Sequence, residues 1–183
     1  MTRLYDIIFS FWGIIILSPI LLLILSIAFF DTGSPIFCQY RLGQSQKKFI
    51  LFKFRTMHIN VPSVATHLIS SSSVTTFGSF LRKSKLDELP QLLNVLIGDM
   101  SLVGPRPNLV IQDELISERA RLGIYNVRPG ITGLAQMKKI DMSSPKHLAE
   151  TDAIMIKTFN TRIYFEYIFL TIFGNGYGDR INK

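Results

Sequence analysis

From Ile7 to Phe30 the chain carries no ionisable side chain. No other feature limits its fold as much. At ~1.5 Å per residue, a straight helix of this length could cross the ~30 Å hydrocarbon core of a bilayer. A cleaved signal peptide fits poorly, because the apolar run is too long and no small-residue cleavage site follows it. The simplest reading is a transmembrane anchor, and two features oppose it. Pro19 lies near the centre, directly after Ser18. Inside a helix a proline removes one backbone hydrogen bond and clashes with the carbonyl four residues earlier, at ~3 kcal/mol, although membrane helices tolerate it. Ser18 can bond a freed carbonyl and stabilise a bend. The second feature is charge. After Phe30 come Arg41, Lys47, Lys48, Lys53 and Arg55 against Asp31 alone, which marks that side as cytoplasmic. The leader "MTRLYD" holds a cation at Arg3 and no long domain to place on the far side. The residues alone leave crossing and turning back equally open.

A chain of 183 residues has room for one compact domain plus a membrane element. The single cysteine, Cys38, excludes an intramolecular disulfide and disfavours a thiolate zinc site. His58, His67 and His147 are scattered without metal-ligand spacing. The net charge of +7 suits anionic lipid or phosphorylated substrates. No zinc finger, RNA-recognition motif or basic helix favours nucleic acid, so no nucleic-acid partner is expected.

Downstream, "SPIFCQYRLG" and "KKFILFKFRTM" read as extended segments joined by a turn at Gly43. Residues 60–77 form a polar Ser/Thr-rich loop. "SKLDELPQLLNVLIG" reads as one helix, with Ser84 as N-cap, Pro90 in the first turn and Gly98 as the stop. "PNLVIQDELISERARLG" reads as an amphipathic helix closed by Gly123. Pro129-Gly130 signals a type II turn between extended arms. "SPKHLAETDAIMIKTF" and "TRIYFEYIFLTIFG" read as two further helices. No repeat and no second-domain boundary is visible.

Three constellations could carry chemistry. Asp87-Glu88 opens the expected helix, and adjacent helical residues diverge by ~100°. One carboxylate could therefore attack while the other holds a metal. A helix N-terminus favours the anionic form and keeps Asp87 available as a nucleophile. Taken alone, ordinary charge placement in a first turn, which is common, is the better explanation of the pair. Arg82, Lys83 and Lys85 stand beside these acids, as a phosphate site requires, and guanidinium offers bidentate bonds to oxygens. Finally, Pro105 and Pro107 fix the backbone around Arg106, presenting it with little entropy to lose. A rigid arginine among glycines suits a nucleotide diphosphate. There is no Walker A or Rossmann glycine pattern.

Taken together, "SPIFCQYRLG", "KFRTM", "FLRKSKLDELPQLLNVLIGDMSLVGPRP" and "RPGITGLAQ" resemble the bacterial sugar transferase family, the small monotopic phosphoglycosyl transferases. The resemblance covers nearly the whole chain. It implies a compact mixed α/β fold on the cytoplasmic face of the bacterial inner membrane, with interfacial amphipathic helices. It implies a re-entrant membrane helix over residues 1–30, broken at Ser18-Pro19, and a catalytic domain over 31–183. The implied reaction transfers a sugar phosphate from a UDP-sugar to a polyprenyl phosphate such as undecaprenyl phosphate. UMP leaves, and a surface glycan is begun. Asp87 would attack and form a covalent phosphosugar, and Glu88 would hold magnesium. Arg82 and Arg106 would neutralise the diphosphate, with Lys53 and Arg55 helping to hold phosphate. Asp152 in "AETDA" matches a further acidic family position. Inner-membrane lipid is an expected partner, and a homodimer is compatible with the pattern.

The sequence departs from the family at three places. Cys38-Gln39-Tyr40 precede Arg41 where many relatives read Arg-Gln; "SSSVTTFG" replaces an Asp-x-Arg; "MKKIDM" follows "GLAQ" in place of Gly-Arg. The sugar is therefore open, with an N-acetylated, 6-deoxy hexosamine one expectation. The extra transmembrane helices of larger relatives are expected to be absent. The competing reading is a membrane-anchored phosphate-binding or scaffolding protein without catalysis.

Overall fold

A computed structural model of the chain describes residues 2–61 and 73–173. Most of the Ser/Thr-rich stretch at 60–77 lies outside the described residues. The fold is mixed, with seven α-helices and two two-stranded sheets among these residues.

Helix α1 runs from Thr2 to Thr32 as one element, with Pro19 inside it. The expected interruption at Ser18-Pro19 is therefore absent from the helix itself, and the physical reason is local. Pro19 cannot donate to the Ile15 carbonyl, and the Ser18 hydroxyl donates to that carbonyl instead, at 2.7 Å. One stripe of α1 faces the rest of the protein through buried Asp6, Ser10, Ile24 and Ala28. Around the remaining circumference Phe11, Trp12, Ile16, Leu22, Leu23 and Phe30 are exposed.

Both ends of α1 are held by the same body. The Arg3 guanidinium donates to the carbonyls of Val95 at 2.6 Å and Leu96 at 3.1 Å. Asp6 Oδ1 accepts from Ser101 Oγ, the Leu102 amide and the Tyr164 hydroxyl at 2.8–3.0 Å. Burial and the nearby Asp6 raise the Tyr164 phenol pKa well above its ordinary value, so it serves as a neutral donor. At the other end Ile24 packs with Phe54 and Leu81, and Asp31 accepts from Thr75 Oγ1 at 2.6 Å.

Strands β1 (Ile36–Leu42) and β2 (Lys48–Phe54) pair antiparallel, joined through Gly43 and a 3-10 turn at Gln44–Gln46. The register puts Phe37 opposite Lys53, Gln39 opposite Leu51 and Arg41 opposite Phe49. These six residues share one face. Phe49 and Leu51 meet Val95 and Met100 in the core. The Asn94 side chain pairs the open edge of β2, accepting from the Phe52 amide at 3.0 Å and donating to the Ile50 carbonyl at 2.7 Å.

The segment expected as one helix from Ser84 to Gly98 is the end of one helix, a 3-10 turn and a second, shorter helix. Helix α2 (Thr76–Ser84) is capped by Thr75, whose Oγ1 accepts from the Gly78 amide at 2.8 Å. Ser84 ends α2 rather than starting a helix, bonding back to the Phe80 carbonyl at 2.9 Å. Lys85 then adopts a left-handed conformation at φ 59°, Leu86–Glu88 form a 3-10 turn, and α3 spans Gln91–Ile97. Pro90 supplies no N–H to the Leu86 carbonyl, which accepts instead from the Leu89 amide at 3.2 Å in the tighter 3-10 pattern. Gly98, at φ 109°, closes α3 as its position suggests.

Strands β3 (Ser101–Val103) and β4 (Gly130–Thr132) form a short parallel pair. Gly130 does not have the positive φ that a type II turn demands. It is glycine for a different reason: a Cβ there would stand 2.0 Å from the Gly104 nitrogen. Helix α4 begins only at Asp113 and ends at Arg121, with residues 107–112 forming a loop. Gly123 follows it at φ 71°. Helices α5 (Leu134–Met137), α6 (Pro145–Thr158, with Pro145 in the first turn) and α7 (Thr161–Ile172) complete the chain. The α7 side chains Phe165, Phe169 and Ile172 are exposed. Phe165 meets Tyr5 and Phe9 edge-on, with ring centroids 5.2 and 6.0 Å apart. The apolar surfaces of α7 and α1 are thereby continuous.

Candidate active site

The 3-10 turn at Leu86–Glu88 carries the two acids. A 3-10 helix has three residues per turn, so adjacent side chains diverge by ~120°. Leu86 points into the cluster of Ile24, Phe54 and Leu81, which anchors the turn on α1 and β2. Asp87 and Glu88 are 4% and 8% exposed, low values for carboxylates and ones that demand polar partners. Glu88 Oε1 has one: Arg106 Nη2 lies 2.7 Å away. The second oxygen of Glu88 takes no hydrogen bond among the described residues.

Arg82 sits one turn before Lys85 on α2. Its Nε donates to Thr56 Oγ1 at 2.7 Å, and its Nη1 is buried without a hydrogen-bond partner. Gly78 allows this approach, because a Cβ there would lie 2.1 Å from the Thr56 carbonyl oxygen. Helix α2 thus packs directly on the end of the ribbon. An orphaned buried guanidinium nitrogen on the helix that leads into the turn of the two acids suits an incoming anion.

Lys53 is buried on the inner face of β2, the strand that packs against the 86–88 turn. Its Nζ stands 5.6 Å from the centre of the Phe37 ring, and the Arg55 guanidinium is 5.4 Å from the same ring. Arg55 also donates to the Ser34 carbonyl at 2.8 Å, which turns it toward the end of α1.

The Arg106 loop is held at each carbonyl from 105 to 108. The Pro105 carbonyl accepts from the Gly130 amide at 2.9 Å, and that of Asn108 from the Leu42 amide at 3.0 Å. Between them, the Arg106 carbonyl accepts from Arg119 Nη1 at 2.8 Å, and the Pro107 carbonyl from Arg41 Nη1 at 3.1 Å. Pro105 and Pro107 therefore act through the backbone.

Asp152 lies behind this loop. Its carboxylate is 1% exposed and bonds Arg119 Nη2 at 2.6 Å. Burial pushes the Asp152 carboxyl up from the usual carboxylate range, and the Arg119 guanidinium opposes that shift. Tyr125 donates to Asn108 Oδ1 at 3.0 Å, and burial raises its phenol as well. The structure thus brings Asp87, Glu88 and Arg106 together, with Arg82 and Lys53 on the flanking elements. Asp152 is one layer further back. Arg41, Arg119, Asn108 and Thr56 were not legible as site residues. Their partners lie far away in sequence, and no local motif marks them.

Among the described residues no group of three or more His, Cys, Asp and Glu could cage a metal. That donor set still fits magnesium, which commonly takes one or two carboxylates and completes its shell with substrate phosphates and water.

The model of the family described as "Bacterial sugar transferase" matches residues 1–175, and the chain belongs to that family. The UDP-glucose:undecaprenyl-phosphate glucose-1-phosphate transferase of Klebsiella pneumoniae is 38% identical over 181 residues, covering 93% of this chain and 39% of that protein. The uncharacterized sugar transferase EpsL of Bacillus subtilis is 36% identical, covering 93% of this chain and 84% of that protein. The undecaprenyl-phosphate galactose phosphotransferase of Salmonella typhimurium is 34% identical, covering 90% and 35%. The chain thus spans well under half the length of the two relatives with a named reaction.

Proposed function

We propose that the chain transfers a sugar 1-phosphate from a UDP-sugar to undecaprenyl phosphate or a similar polyprenyl phosphate, releasing UMP. The observation that carries this reading is the buried Asp87-Glu88 pair with Arg106 at 2.7 Å from Glu88, in a member of this family. Related proteins whose names give the reaction act with undecaprenyl phosphate and transfer glucose 1-phosphate or galactose phosphate.

The chemistry follows from charge. Arg106 and the buried Arg82 nitrogen bind and orient the diphosphate. An Asp87 oxygen attacks the sugar-bearing phosphorus. The bond from that phosphorus to the bridging oxygen breaks, and UMP leaves with the electron pair. Asp87 then carries the phosphosugar as an acyl phosphate. A polyprenyl phosphate oxygen attacks the same phosphorus, and the Asp87 carboxylate is released intact, which gives ping-pong kinetics. Magnesium, when bound, supplies further neutralisation of the diphosphate, and Glu88 would hold it through its remaining oxygen.

The site would work at headgroup depth on the cytoplasmic face of the inner membrane. Arg3 and Asp6 at one end of α1, and Ile24 and Asp31 toward the other, touch one body. A helix held this way dips into one leaflet and keeps both ends on one side, its exposed apolar surface in lipid. To test topology, Thr2→Cys in a Cys38→Ser background is exposed to an impermeant thiol reagent in intact cells. Protection is expected, and ready labelling from outside would establish a crossing helix.

The activity is tested by UMP release with polyprenyl phosphate across UDP-glucose, UDP-galactose and N-acetylated UDP-hexosamines. At least one donor should release UMP and yield a lipid diphosphate sugar. UMP release from none of them would favour the non-catalytic, phosphate-binding reading.

A further inference from the structure

We infer that Arg119 is a positioning residue for the transfer, acting on Arg106 through the backbone of the Pro105–Asn108 loop. The inference rests on the reading of Asp87, Glu88 and Arg106 given above. Pro105 and Pro107 have no amide hydrogen, so half of the four loop residues offer only a carbonyl through which the backbone can be fixed. Four successive carbonyls are fixed, two by backbone amides and two by guanidinium groups.

Arg119 is the more deeply placed of the two guanidinium donors, at 2% exposure. It grips the loop twice, at the Arg106 carbonyl and, through the same nitrogen, at Asn108 Oδ1 at 3.1 Å. The other terminal nitrogen bonds Asp152 on α6 at 2.6 Å. Tyr125 bonds Asn108 from the far side. A continuous set of bonds therefore runs from α6 through Arg119 to the Arg106 backbone. From there the Arg106 side chain reaches Glu88, the neighbour of Asp87. Ion pairs buried this deeply rarely add net stability over apolar packing, so a geometric role is the better account of a bond set aimed at the loop. The planar fork is essential to it, because one group must meet three acceptors in fixed directions.

The test is a double-mutant cycle on the rate of single-turnover UMP release. Arg119→Lys keeps the charge opposite Asp152 and loses the fork. In the wild-type background its rate should fall about 10- to 100-fold, since a misplacement near 1 Å can cost ~100-fold. In an Arg106→Lys background the same change should cost no more than about twofold, because the group that Arg119 positions is already gone. Equal losses in both backgrounds, or no loss in either, would overturn the inference and leave Arg119 a structural residue. If Arg119→Lys does not fold, Asp152→Asn loosens the anchor with the guanidinium retained, and the same pair of rates decides. A wild-type rate in Arg106→Lys alone is a different failure. It would remove Arg106 from the reaction and sink the underlying reading.

Discussion

Proline interrupts the chain's hydrogen bonding at two contrasting places. In α1, Pro19 frees one carbonyl, that of Ile15, and the neighbouring Ser18 meets it at 2.7 Å. In the loop around Arg106, Pro105 and Pro107 remove two backbone donors, and the carbonyls of Pro107 and Arg106 are met by Arg41 and Arg119 at 3.1 and 2.8 Å. Neither arginine is near the loop in sequence in the way that Ser18 is near Pro19. The first remedy is local and couples the helix to nothing. The second ties β1, α4 and α6 to the residue that faces Glu88. A membrane helix needs only to avoid an orphaned polar group in lipid. On the proposed function, the Arg106 loop must also hold one geometry.

The comparison makes graded predictions. The largest effect belongs to the tip of the loop. Arg106→Ala should lower turnover by ~100-fold or more, as expected when a donor to developing charge is lost. Steady-state UMP release measures it, and membrane association should be unchanged. Next comes Arg41→Ala, which deprives the buried Pro107 carbonyl of a charge-assisted bond. It should destabilise by about 2 kcal/mol and lower the melting temperature by roughly 4–8 °C. An unchanged melting curve would show that the loop does not depend on its distant donors. The smallest effect is expected at Ser18→Ala, below ~1 kcal/mol. That loss should vanish in a Pro19→Ala background, where an amide again serves the Ile15 carbonyl. No such single change within the loop should compensate for loss of Arg41.

The same contrast explains what could be read from the sequence. Ser18 and Pro19 are adjacent, so their relation was legible, although the helix continues through them instead of stopping. The acids and the Pro-Arg-Pro run form a compact motif and were legible too. The split at Lys85 was not. A left-handed lysine has no sequence signature of the kind glycine provides. Pro129-Gly130 reads as a turn in the sequence, whereas the lack of a Cβ at Gly130 serves the close approach to Gly104. Arg41 and Arg119 look like ordinary surface charges until the fold brings them behind Arg106. Asp152 stands in a legible stretch, but only packing shows that its carboxylate faces Arg119.

The central claim is that Asp87 becomes covalently linked to the sugar phosphate. Wild-type protein and Asp87→Asn are incubated with magnesium and a UDP-sugar that the wild type accepts, with polyprenyl phosphate omitted. Asparagine is nearly isosteric but has no anionic oxygen with which to attack phosphorus. Intact-protein mass and released UMP are then measured. The wild type should release up to about one UMP per site and gain one sugar phosphate in mass, as a ping-pong enzyme does. Asp87→Asn should show neither. An adduct mapped to another residue, or undiminished UMP release by Asp87→Asn, would contradict the account.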